Sequence, residues 1–85
     1  MKLTKHAKQR AKERLSHLTL AQIKEDIYKH KMMRIPTSDP AGKYQIVGKY
    51  ALYPISEDKS VLTINTYRPN NNNNRVSLLK QNITT

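Results

Sequence analysis

LTLAQIKEDIYKHKMMRIP (residues 18–36) decides the fold, because the apolar period changes inside it. Thr19 and Gln22 have the spacing of a capping box, and Leu18 and Ile23 stand where a hydrophobic staple closes over a helix start. Leu20, Ile23 and Ile27 then recur at the spacing of one helical face, which predicts a helix ending near Lys31. From Met32 the pattern turns strand-like. Met32 to Ile35 reads as a short strand, stopped by Pro36.

Upstream of that stretch, Thr4 has the character of an N-cap for a helix from about Lys5 to Leu15, with Ala7, Ala11 and Leu15 as its inward stripe. Downstream, Thr37 to Gly42 is a loop by composition. Tyr44 to Val47 and Tyr50 to Ile55 flank Gly48-Lys49, a pair suited to a type II′ hairpin turn. Pro54 places part of the second strand at an edge or a bulge. Ser56 to Lys59 is a polar turn. Val61 to Tyr67 alternates, with Leu62, Ile64 and Thr66 on one face. The expected architecture is α+β: two N-terminal helices packed on an antiparallel sheet of three to four strands. Residues 1–69 form the domain, and Asn70 to Asn74 a polar linker. The tail 75–85 carries Val76, Leu78, Leu79 and Ile83, and either docks or stays disordered.

Sixteen lysines and arginines against six acids give a formal charge of +10 over 85 residues. Such an excess concentrates phosphate polymers and acidic proteins near the surface, though solubility alone also accounts for it. With no cysteine, disulfides, thiolate nucleophiles and cysteine-ligated metals are excluded. No apolar run reaches the ~18 residues of a membrane span and no secretory h-region is evident, so the expected location is the cytoplasm, without membrane contact. His17 and His30 lack partners at metal-ligand spacing, so no metal is expected, and no cofactor is expected either.

The densest chemistry lies on the first helix. His6, Arg10 and Arg14 fall at i, i+4 and i+8, one row beside the alanine stripe. Arginine offers a donor fork to phosphate oxygens, and Lys5 adds charge. A histidine of near-neutral pKa suits proton transfer during 2′-hydroxyl attack on a phosphodiester. Tyr67 and Arg68, after the last strand, would complete such a site if the sheet faces this row. The plainer reading has His6 tying the helix to the sheet, and Arg10 and Arg14 solvated or paired with Glu25 and Asp26. Tyr44, Tyr50 and Tyr53 suit base stacking or cross-strand packing.

Leu3-Thr-Lys-His-Ala-Lys-Gln-Arg10, with Glu13 and Arg14 following, resembles the T-x-H-A-x-x-R-x-x-E-R opening of a family of small prokaryotic and phage domains. Those domains are related to BrnT toxins and to RelE-like ribonuclease toxins. The resemblance spans about residues 3–68. It implies a RelE/BrnT-like fold and an RNA-directed protein: a metal-independent endoribonuclease toxin that inhibits translation, acting on RNA such as ribosome-bound mRNA and neutralised by an antitoxin, or a degenerate relative that only binds RNA. By position, His6, Arg10 and Arg14 match the motif. The alternative is a non-enzymatic, phage-type binding protein whose basic face meets an acidic host protein or DNA.

Overall fold

Extended backbone begins ahead of the first helix. The computed structural model describes residues 2–67, and strand β1 (Lys2–Leu3) opens it. Thr4 then caps helix α1 (Lys5–Arg14): its Oγ1 accepts from the Ala7 N–H at 3.1 Å. The same hydroxyl donates to the Leu62 carbonyl at 3.1 Å, so one side chain both starts the helix and ties it to a distant segment. Leu15 closes the helix as C-cap, and Ala7, Ala11 and Leu15 are buried as their spacing predicts.

The capping box at the second helix is complete. Thr19 Oγ1 accepts from the Gln22 N–H, and Gln22 Oε1 accepts from the Thr19 N–H. Helix α2 (Leu20–Lys29) ends two residues before Lys31, with His30 as C-cap. Ile23 and Ile27 are buried, but Leu20 is 37 % exposed, so the inward stripe starts one turn later than expected.

The sheet departs from the expected one. It has six strands and is mixed, ordered β1-β5-β4-β3-β2, with β6 pairing on β4. Strand β2 (Arg34–Ile35) is shorter than Met32 to Ile35, because the Met33 N–H turns back to the His30 carbonyl. Strands β3 (Gly42–Val47) and β4 (Ala51–Ser56) form the main antiparallel pair, and β5 (Ser60–Val61) lies parallel to β1. Two-residue strands carry too few side chains for a period to show, which is why β1 left no sequence signal.

Val61 to Tyr67 is not one strand. It divides into β5 and β6 (Asn65–Thr66), and Val61 and Ile64, three residues apart, are both fully buried. Side chains of the first helix take the carbonyls in the gap: Thr4 bonds Leu62, and Arg14 Nη1 donates to the Ile64 oxygen at 2.5 Å.

Pro54 is likewise not at an edge; it sits fully buried in the interior strand β4, opposite Gln45 of β3. Its carbonyl accepts from the Leu62 N–H, so its missing N–H falls on the side where β5 has ended and β6 has not begun. A proline is tolerated in an interior strand at that gap because no ladder bond is lost there.

Buried residues of both helices (Ala7, Ala11, Ile23, Ile27) and of the strands (Ile46, Tyr53, Ile55, Val61) belong to one cluster. No helix among the described residues is long and apolar enough to cross a membrane. The Asn-rich linker and the tail lie outside the described residues.

Because Thr4 serves helix and sheet together, Thr4→Ala is expected to cost about 1–2 kcal/mol. Thr4→Ser should restore most of it, as read by urea melts followed by circular dichroism.

Candidate functional site

Helix α1 presents its charge outward. Lys5, Lys8, Lys12 and Arg14 are exposed around the buried Ala7 and Ala11, and Arg10 is half-buried. His6 is exposed and does not tie the helix to the sheet. The row does not converge on a single point: eight residues separate His6 from Arg14, about 12 Å along a helix. Its arginines are also engaged, though not with Glu25 or Asp26. Arg10 Nη1 pairs with Glu13 at 2.7 Å, and Arg14 holds the Ile64 carbonyl. Glu25 instead pairs with Lys29, whose pKa is raised chiefly by that hydrogen bond.

Tyr67 donates its hydroxyl to the Gly48 carbonyl at 2.5 Å, at the β3–β4 connection. Arg68 lies outside the described residues. At the turn between β4 and β5, Ser56 and Ser60 hydrogen-bond the Asp58 carboxylate and lower its pKa, as suits the polar turn foreseen there.

The most constructed constellation is one the sequence reading did not single out. Asp26 lies on the buried face of α2, its side chain only 3 % exposed. Its carboxylate accepts from the Lys49 N–H at 3.0 Å, the Tyr50 N–H at 3.3 Å and the Tyr53 hydroxyl at 2.6 Å. His30, one turn on, places Nδ1 3.0 Å from the carboxylate and 2.8 Å from the Asp26 carbonyl. Both neighbours are acceptors, so Nδ1 carries the proton and shares it between them.

This network corrects the hairpin assignment. No glycine among the described residues has a positive φ, so Gly48 does not make a type II′ turn. Gly48 is needed for space: a Cβ there would overlap the Asp26 carboxylate and the Tyr53 ring. The turn is held by a side-chain carboxylate in place of a special backbone conformation. One signal of this was present in the sequence, since Ile23, Asp26, Ile27 and His30 share a helical face and put an acid on the apolar stripe.

Beside the network is a cleft of about 190 Å³ lined by Gln22, Glu25, Lys29, His30, Lys49 and Tyr50 as well as Asp26. Lys49 Nζ stands 5.4 Å from the Tyr50 ring centre, and His17 meets that ring edge-on. An imidazole oriented by a buried carboxylate is a form that can accept a proton. Here the carboxylate's remaining contacts go to the turn and to Tyr53, which makes the pair an anchor of the fold. No group of three histidine, aspartate or glutamate side chains among the described residues is placed to hold a metal ion.

Of the tyrosines proposed for stacking, Tyr53 is fully buried and Tyr44 packs against the core. Tyr50 remains 36 % exposed. No family model, curated protein or solved structure matches this chain.

Burial, and then the bond to Asp26, raise the Tyr53 pKa above its ordinary 10.0. The folded state therefore holds this proton more tightly than the unfolded chain. The stabilisation is complete below about pH 10 and is lost as pH climbs toward the folded value. Tyr53→Phe should lose about 1–3 kcal/mol at neutral pH, and should decline less steeply than wild type above pH 10. Urea melts of both proteins across that range test this; parallel alkaline declines would exclude the linkage.

Proposed function

We propose that this chain is an RNA-binding protein of the RelE/BrnT-like kind, with its two helices set on the sheet, that lays the outer face of α1 along the phosphate backbone. The observation that carries this reading is the shortage of internal partners for its cations. Among the described lysines and arginines, only Arg10 and Lys29 form an ion pair with a carboxylate. Asp26 is buried and Asp58 bonds serines, so two more of the few acids are spent locally. The remaining positive charge faces outward, where an external polyanion releases counterions on binding.

Binding is favoured over cleavage because the proposed catalytic partners have other tasks. Tyr67 bonds the Gly48 carbonyl, Arg14 bonds the Ile64 carbonyl and Arg10 is paired. His6 would need an acid and a phosphate clamp beside it, and Asp58, which lines a depression at the helix start with Lys2, Lys5 and Lys8, is already bonded to serines. RNA in preference to DNA follows from the T-x-H-A-x-x-R-x-x-E-R resemblance.

Anisotropy titrations of labelled single-stranded RNA across a salt series provide the test. Wild type should bind with a steep salt dependence, and Lys5→Gln/Lys8→Gln/Lys12→Gln should reduce the slope by about 2. Induced in bacteria, wild type and His6→Ala/Arg10→Ala should both leave messenger RNA intact. Rapid loss of RNA with wild type alone would replace this reading with a nuclease using α1. Preference for duplex DNA, or for an acidic host protein, would replace it with the non-enzymatic alternative.

A further inference from the structure

Away from α1, the end of α2 carries a surface that the functional reading leaves unused. Tyr28 is 70 % exposed and Met32 is 78 % exposed, the most open large apolar side chains among the described residues. Lys31 Nζ stands 4.6 Å from the centre of the Tyr28 ring. The Lys31 carbonyl accepts from Arg34 Nε at 2.9 Å, and the Arg34 guanidinium lies 4.3 Å from the Tyr44 ring centre. Tyr28, Lys31, Arg34 and Tyr44 thus form an unbroken series, ring–cation–cation–ring, from the last turn of α2 onto β2 and β3. Lys24, Ile27, Tyr28 and Lys31 also line a depression of about 400 Å³ along α2.

We propose that this series is a stacking platform for single-stranded RNA, with bases seated on Tyr28 and on the Arg34 plane and phosphates drawn to Lys24 and Lys31. Rings with cations beside them suit this ligand. Every base has a π-face that a tyrosine or guanidinium can cover, and each step along the strand brings another phosphate. An acidic protein would use the cations but would leave the exposed ring without a matched partner. A double helix hides its base faces and would gain nothing from Tyr28. The inference rests on the RNA-binding reading and adds a second surface, one that distinguishes single strands from duplexes.

The test compares oligouridine and oligoadenylate with an RNA duplex, in anisotropy titrations of wild type, Tyr28→Ala, Tyr28→Phe and the triple lysine variant of α1. Tyr28 is so exposed that its replacement should leave thermal melts unchanged. Tyr28→Ala should weaken single-strand binding roughly tenfold, leave duplex binding within twofold and keep the salt slope, while Tyr28→Phe should bind as wild type. Lys31→Gln/Arg34→Gln should weaken single-strand binding and also flatten the slope. If Tyr28→Ala binds single strands normally while the α1 variant does not, the platform is overturned and the RNA-binding reading stands. If wild type binds no RNA, both fall. Equal competition by polyglutamate, with no effect of Tyr28→Ala, would also overturn the platform and leave a plain charged surface.

Discussion

The carboxylate of Asp26 ties helix α2 to the β3–β4 pair. It sits on a helix, yet most of its hydrogen bonds run to the connection between the two longest strands and to a tyrosine of β4. Burying a carboxylate is costly unless its oxygens are satisfied, and here two backbone N–H groups, a phenol and an imidazole surround it. The same bonds explain three neighbouring residue choices. Gly48 leaves room for the carboxylate, Tyr53 brings a donor into an otherwise apolar core, and His30 covers the helix end. Removing the acid would strand several donors at once, so these positions act as one unit.

The anchor also separates structure from surface chemistry. Carboxylates are scarce in this chain, and a substantial part of that small supply is consumed by the fold and by local turns. The lysines therefore remain turned toward solvent, and the arginines of α1 divide their work. Arg14 closes the gap between β5 and β6, Arg10 pairs along its own helix, and the lysines are left to meet whatever arrives from outside. A basic helix of this composition can serve both as a docked element and as an electrostatic face, because it meets the core through Ala7, Ala11 and Leu15 and bonds the segment between β5 and β6 through Thr4 and Arg14.

The local grammar of the helices was legible. Thr4 and Thr19 cap as their spacing indicates, and the alanine and isoleucine stripes point inward. The strands were legible where they were long: Gly42–Val47 and Ala51–Ser56 cover most of the expected hairpin. What escaped were features that depend on distant partners. Lys2–Leu3 becomes a strand only because Ser60–Val61 lies beside it, and Val61 to Tyr67 breaks because Thr4 and Arg14 capture its carbonyls. Asp26 was hidden for a related reason, since a lone acid on an apolar stripe does not say which backbone will come to meet it. For the first-helix row, the spacing predicted a shared face correctly, but shared face and shared target are different properties, and the arginines found targets within the molecule.

The parallel pairing of β1 with β5 has a consequence for the order in which the molecule is made. The first strand and the cap of the first helix find their partners some fifty-eight positions later, at Ser60–Val61 and Leu62. A growing chain therefore exposes α1 before the segment that receives it exists, whereas α2 and the β3–β4 hairpin can close on Asp26 earlier. Long-range closure of this sort comes late in folding, after local elements have formed. During synthesis the basic helix would spend its undocked time beside the ribosome's own RNA, itself a polyanion, before the domain is complete.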